Sequence, residues 1–272
     1  LRSNVLYKIP KTILNKGSGY LAGYSHSLNP YTGCAFGCSF CYVRKMPVST
    51  FRKEEWGSWV DIKQGAAELL EKELTRAKAK GNVTIFMSSS TDPYQPVEYK
   101  EEITRSLLEV MAENQPDFLF VQTRSPLVRR DIDLFLQLKD KVRVSMTIET
   151  DREDIRKHFT PHAPPIRGRL KTLQLLKEAD IPTQATIAPL LPSSHEFSNT
   201  LSDIVNRVCL DDYFMGDGSG GRRTKNLGIS SLYEELGLEE WYSPSAYQMM
   251  YDRLKKSFSK DQIHVSQEGF LP

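Results

Sequence analysis

Cysteine is scarce in this chain, four residues in 272, too few for the disulfide framework of a small secreted scaffold. No hydrophobic signal segment opens the sequence, and no apolar run approaches the length of a membrane span. Charge of one sign is not in excess either. Lys+Arg 36 against Asp+Glu 34 leaves a formal net charge of +2, too close to balance to predict nucleic-acid binding by itself. Internal repeats and Pro/Gly-rich linkers are missing, which speaks for one domain over residues 1–272. At 39% hydrophobic and 26% charged, the chain has apolar material for a core that needs no metal to hold it. A cytoplasmic protein without a membrane partner is the expectation. The sequence opens at Leu1 rather than Met, which leaves room for a preceding segment.

Three of the four cysteines share one short loop, Cys34-Ala35-Phe36-Gly37-Cys38-Ser39-Phe40-Cys41. Thiolates suit iron–sulfur clusters, and three from one tight loop hold three corners of a cubane while leaving one iron without a protein ligand. The C-x3-C-x2-C triplet therefore reads as a cradle for a [4Fe-4S] cluster. Gly33 and Gly37 fit that reading, since a chain wrapped closely round a cluster needs residues free to take positive φ. The competing reading is structural zinc, which usually needs four ligands. Only Cys209 remains, far along the chain and with no neighbouring His or Cys.

Apolar β-rich runs alternate with helical patterns, the signature of parallel β/α architecture. Strands are predicted at about 27–32, 83–87, 118–122, 142–148, 183–188 and 205–213, and helices at 61–80, 100–113, 130–139, 166–179 and 245–258. In parallel α/β folds the chemistry sits on the loops that follow the strands. After the second strand stands Ser88-Ser89-Ser90-Thr91-Asp92, hydroxyl-rich enough to accept from an ammonium group, although the same residue types also make turns and caps. After the third comes the cation Arg124, a forked donor suited to a carboxylate. The fourth strand alternates Ser145, Thr147 and Glu149 onto one face, polar where a covered sheet should be apolar, which points to a ligand.

The triplet with Phe40 before its last cysteine resembles the radical S-adenosylmethionine (SAM) superfamily. Asn29 through Tyr42, Thr91-Asp92-Pro93-Tyr94-Gln95-Pro96 and Pro164 through Leu170 look like its spore photoproduct lyase branch, a match running from about Ser25 to Pro192. The resemblance implies a partial (β/α)6 TIM-type barrel, with a core over about 25–213 and a C-terminal helical extension over about 214–272. It implies a [4Fe-4S] cluster on Cys34, Cys38 and Cys41 that cleaves SAM reductively to a 5′-deoxyadenosyl radical, which abstracts hydrogen from a substrate. Phe40, Ser88, Ser89, Ser90, Thr91, Asp92, Arg124, Ser145, Thr147, Glu149 and Arg169 are then the SAM-binding residues, with Arg167 a competing choice to Arg169. The need for an electron implies a donor such as flavodoxin or ferredoxin.

The photoproduct lyases use a cysteine after strand two as hydrogen donor. Here that place reads Ser88-Ser89-Ser90, so Cys209 is the remaining candidate, or else a small buried hydrophobe. Gly216–Lys225, glycine-rich and then basic, either closes over an anionic substrate or is a solvated insertion. The helix at 245–258 is expected to cover the open side of the barrel, and Tyr94, Tyr213 and Tyr242 are candidates to relay a hydrogen atom or stack on a base. The substrate expected is a nucleic acid or nucleotide. The contrasting class is a non-catalytic iron–sulfur or zinc protein that binds nucleic acid or senses redox state.

Overall fold

Strands that are apolar at consecutive positions, such as Ile85-Phe86-Met87 and Leu119-Phe120-Val121, need a partner layer on each face, and the arrangement follows from that need. The computed structural model describes residues 3–215 and 219–272. Its strands are β1 (Asn4–Lys8), β2 (Leu14–Lys16), β3 (His26–Leu28), β4 (Tyr31–Thr32), β5 (Trp59–Lys63), β6 (Thr84–Met87), β7 (Phe118–Thr123), β8 (Val142–Thr147), β9 (Thr183–Ile187), β10 (Val208–Leu210) and β11 (Ile263–Val265). Eight of them form one sheet in the order β11-β10-β9-β8-β7-β6-β3-β2, parallel throughout except for the antiparallel β2–β3 pair.

Alternation assigns the two faces. Ile85, Met87, Leu119, Val121, Val144, Met146, Ala185, Ile187, Val208 and Leu210 point into the main core, where helices Ala66–Lys78, Ile103–Glu113, Ile132–Leu138 and Ile166–Glu178 bring Leu70, Leu107, Phe135 and Leu173. The residues between them point the other way. Phe86, Phe120 and Cys209 join Tyr24 and Phe270 in a second cluster, with Phe86 and Phe120 stacked at 5.1 Å. Above that aromatic layer the same face is polar, carrying Gln122, Ser145, Thr147, Gln184 and Thr186.

The parallel β/α order expected from the sequence is present, but the sheet is open: its edge strands β2 and β11 do not pair. The helix expected to cover the gap, Pro244–Ser257, packs instead on helix Phe197–Ser202, with Arg253 over the Trp241 ring. Two short 3-10 turns from opposite ends of the chain, Gly19–Leu21 and Ser266–Phe270, meet between the edges. Tyr20 Oη lies 3.1 Å from both Asp211 Oδ2 and Ser266 Oγ, and Gln267 Nε2 donates to Tyr20 O.

A second, three-stranded sheet, β1-β5-β4, corrects two expectations. The run 27–32 is not one strand, because Pro30, which lacks an N–H, separates β3 in the large sheet from β4 in the small one. Residues 61–63 do not begin a helix either. Asp61 is buried within β5 and pairs with Lys8 at 2.7 Å and Arg52 at 2.8 Å, and the helix starts only after Gly65, at φ 72. The helix expected at 100–113 breaks at Glu102, where φ is 51. Buried Glu98 imposes the break by accepting from Tyr31 Oη, Thr104 N and Arg130 Nη2.

Candidate cluster and cofactor site

Strand β4 runs straight into Gly33-Cys34, so the small sheet is the stem of the cysteine loop. A Cβ on Gly33, at φ 87, would stand 2.6 Å from the Trp59 ring, and one on Gly37, at φ 54, would stand 3.1 Å from Gly57 Cα. Both positions need glycine for close approach as well as for backbone sign. Gln95, fully buried, accepts from Ala35 N at 2.9 Å and donates to Gly33 O and to Thr91 Oγ1. Thr91 Oγ1 donates to Gly33 O, and on the outer side Arg44 donates to Gly37 O and Cys38 O.

Cys34, Cys38 and Cys41 line one wall of a cavity of about 640 Å³. Burial raises all three thiols, Cys41 to about 11, while the Arg124 charge opposes the rise at Cys38. Among the described residues no trio of His, Cys, Asp or Glu converges on a single ion. A cubane asks for something else, since its three thiolates bind three different irons. Cys209 supplies no fourth ligand. It sits in the aromatic layer with its thiol 3.6 Å from Ser266 O, against Gly269, and is not on the cavity wall. Nor does a cavity-facing thiol stand behind the hydrogen-donor role considered for it.

Strand ends line the same cavity. Ser88, Ser89, Ser90, Thr91 and Asp92 after β6, Arg124 after β7 and Thr147 at the end of β8 all line the cavity, as does Phe40. Ser88 is a non-glycine residue at φ 77, and its buried Oγ has no hydrogen-bond partner. Ser88 thus brings a left-handed backbone and an unpartnered hydroxyl together on the cavity lining. Gln122, also on the wall, leaves its Oε1 orphaned while its Nε2 donates to Thr147 Oγ1 at 2.6 Å.

Not every expected residue faces the cavity. Ser145 lies beneath the wall, 2.6 Å from Thr186 Oγ1. Asp92 has its oxygens taken by Thr123 Oγ1, Tyr94 N and Arg124 N, so although it lines the cavity it braces the strand ends. Glu149 and Arg169 are behind the wall as a buried pair at 2.6 Å, and Arg167 is exposed. Arg169 also donates to Pro164 O and Thr147 O, and Glu149 accepts from Arg124 Nε at 3.1 Å. Burial alone would raise the Glu149 carboxyl, but Arg169 and Arg124 hold it below the ordinary carboxylate range. The chain Arg169–Glu149–Arg124 thus fixes a cation on the cavity wall.

Other members were not singled out by sequence reasoning. Asn29 Nδ2 donates to Ser89 Oγ and its Oδ1 accepts from Ser90 N. Asp211 and Asp212, after β10, line the cavity, and burial pushes Asp211 up to about 7. The rule that chemistry follows each strand would have found the aspartates, and Asn29 and Gln95 stand out as polar residues beside prolines in otherwise buried loops. Of the tyrosines, Tyr213 lines the cavity beside Phe40 and its Oη accepts from Tyr233, Tyr242 packs on Tyr213, and Tyr94 is buried against Asp131. Within the Gly216–Lys225 loop, Gly216, Asp217 and Gly218 lie outside the described residues, whereas Arg223 and Thr224 reach the cavity wall.

Curated relatives include an uncharacterized protein of Methanocaldococcus jannaschii, 31% identical over 172 residues, 63% of this chain and 62% of that protein. Another is an uncharacterized protein of Acidianus two-tailed virus, 30% identical over 197 residues, 70% of this chain and 64% of that protein. The chain thus spans a little under two thirds of the length of these relatives. Among solved structures, spore photoproduct lyase complexed with dinucleoside spore photoproduct superposes with a TM-score of 0.65 at 14% identity, over 96% of this chain and 81% of that one. Streptococcus suis SuiB bound to S-adenosylmethionine gives 0.53 at 13%, over 88% of this chain and 46% of that one. At these identities the likeness is one of fold. Residues 28–204 match the family description of the radical SAM superfamily, a stretch that holds the cysteine loop and the cavity-lining ends of strands β6 to β9; this chain belongs to the radical SAM superfamily.

Proposed function

We propose that the chain is an enzyme that reductively cleaves SAM and uses the resulting 5′-deoxyadenosyl radical to take hydrogen from an anionic substrate of the nucleic-acid or nucleotide class. The observation that carries the reading is that one cavity is lined both by Cys34, Cys38 and Cys41 and by Ser88, Arg124 and Thr147, which come from the ends of three consecutive parallel strands. These cysteines would hold a [4Fe-4S] cluster, which when bound supplies the electron that splits SAM and a free iron that binds it.

The chain's own residues do the rest. Arg124, kept charged and aimed by Glu149, takes the methionine carboxylate, and the orphaned Ser88 hydroxyl accepts from the ammonium. Phe40 and Tyr213, edge to face at 6.1 Å, give an apolar wall for the adenine. Gln122 offers a free amide oxygen to a donor on the ribose or the substrate. We read the open, mostly parallel sheet as a partial barrel with this cavity at its mouth. Cations on that mouth, Lys16 and Arg223, suit a phosphate-bearing substrate; the structurally similar spore photoproduct lyase was solved with a dinucleoside photoproduct. With Cys209 off the wall, no free cysteine among the described residues lines the cavity once the three are ligands, so return of a hydrogen atom by a cysteine is not part of the proposal.

The test is anaerobic reconstitution with iron and sulfide, then reduction by dithionite with SAM, with 5′-deoxyadenosine read by chromatography. Product that disappears in Cys38→Ala is the expected result. A full cluster in Cys38→Ala, or a wild-type cluster that does not bind SAM, would overturn the reading.

A further inference from the structure

The inner face of the large sheet has a third level. Phe86, Phe120, Tyr24 and Phe270 form the aromatic layer under the cavity, and Arg143, Arg207 and His264 stand on the far side of it, toward the strand starts. Arg143 is the second residue of β8 and shares a face with Ser145 and Thr147. Arg207 directly precedes β10 and shares a face with Cys209, whose register partner is His264. Only β9 separates β8 from β10, so the two arginines rise from backbones roughly 10 Å apart.

Both guanidiniums are held in place, yet neither is paired. Arg143 lies over the Phe118 ring at 5.2 Å and donates to Leu271 O at 3.1 Å. Arg207 donates through Nε to Gln184 Oε1 at 2.7 Å and through Nη1 to His264 Nε2. Gln184 is wholly buried and gives its amide N–H to Thr186 Oγ1, so it aims Arg207 from behind. Among the described residues neither arginine forms an ion pair; the acid of this region, exposed Glu268, stands 3.7 Å from His264 Nδ1 instead. Burial and the Arg143 charge bring Arg207 down to about 10, and burial lowers Arg143 as well.

Tyr24 completes the group. It is 3% exposed, its ring packs edge-on to Phe86 at 5.4 Å and lies 6.4 Å from Phe118, and its buried Oη has no hydrogen-bond partner. Burial raises the phenol, and the charges that oppose the rise are those of Arg143 and Arg207. A protonated hydroxyl without an acceptor therefore shares this end of the sheet with two unpaired cations. All three are donors, and one negatively charged acceptor satisfies them together.

We propose that Tyr24, Arg143 and Arg207 form a binding site for a phosphate-type dianion, at the end of the sheet opposite the cavity. Two guanidiniums match a double negative charge and present forked donors to its oxygens, which leaves the Tyr24 O–H for another oxygen. A monocarboxylate leaves one arginine uncompensated. His264 braces Arg207 as a neutral ring, since burial and the two arginines lower its pKa. The site uses no residue of the cluster or SAM site and stands independently of the function proposed above.

The test titrates the whole chain with sodium phosphate, at an ionic strength held constant with chloride, by calorimetry and thermal unfolding. Saturable binding that raises the unfolding midpoint is expected, weakened about tenfold or more in Arg207→Gln and about threefold or more in Tyr24→Phe. Without phosphate, Tyr24→Phe should be at least as stable as wild type, because it removes only an unpartnered hydroxyl. Glycerol 3-phosphate forms a second arm: equal affinity assigns the site to the free ion, and tighter binding of the ester assigns it to a phosphorylated molecule. Phosphate that acts no differently from chloride would overturn the proposal, as would wild-type affinity in both variants. Binding lost in Arg223→Gln but intact in Arg207→Gln would place the anion at the cavity mouth and overturn it too.

Discussion

Glu149 shows how much of a cofactor site can be invisible from its cavity. It touches no open space, yet it holds Arg124 on the wall and compensates Arg169, whose side chain is wholly buried. Glu149→Gln leaves that guanidinium without its counter-charge, and breaking a buried pair from one side costs about 3–5 kcal/mol. Urea unfolding should register that loss, and SAM affinity should fall with it; a variant as stable as wild type would remove the pair from the account. Asp211 sets a different test. Its carboxyl is raised by burial from the ordinary 3.8 to about 7, so between those values the folded chain keeps a proton that the unfolded chain has lost. Stability contributed by this group therefore falls as pH rises from about 4 to about 7. Asp211→Asn lacks the titration, and its melting temperature relative to wild type should be higher at pH 8 than at pH 5. The opposite trend would mean that Tyr20 and Ser266 stabilise the ionised form.

Elements explain why the cysteine loop has one shape. It hangs between strand β4 and the Tyr42–Lys45 turn, and its carbonyls and amides are tied by a residue 60 positions on, Gln95. Gln95→Ala leaves Gly33 O and Ala35 N short of partners, an expected cost of roughly 1–3 kcal/mol. The far-ultraviolet dichroism should not change, while a chelator should strip iron faster than from wild type; equal rates would mean that Thr91 suffices. Much of this level was readable beforehand. Strands β6 and β7 are short continuous apolar runs, β8 alternates, and helices Ala66–Lys78, Ile103–Glu113 and Ile166–Glu178 follow a 3.6-fold apolar period. What escaped were strands of two to five residues, β1, β2, β4, β5 and β11, too short for a period to show and exposed or paired through side chains such as Asp61.

For the molecule as a unit, the cavity is where distant parts of the chain meet. Its floor joins Tyr20, Asp211 and Phe270, and its rim joins Lys16 to Arg223. A ligand that binds only the assembled cavity stabilises the fold by mass action, about 2.7 kcal/mol at a hundredfold excess over Kd. SAM should therefore raise the unfolding midpoint of the reconstituted protein and leave that of the iron-free protein nearly unchanged. An equal shift in both would show that the strand ends bind SAM without the cluster. Among the described residues no helix is long and apolar enough to cross a membrane.

The cysteine spacing, the strand–helix alternation and the polar strand ends are properties of neighbouring residues, and the order of the chain was enough to read them. Whether a polar group is spent or free is not such a property. Ser88 and Gln122 keep open valences, Asp92 and Ser145 do not, and the difference depends on partners that only folding brings close. The closure of the open side was equally out of reach: it needs Tyr20 against Asp211, 191 positions apart, and Gln267 against Tyr20, 247 apart. No local pattern encodes contacts at such separations, because the energy that selects them comes from burying Tyr20, Tyr24 and Phe270 together against one sheet face.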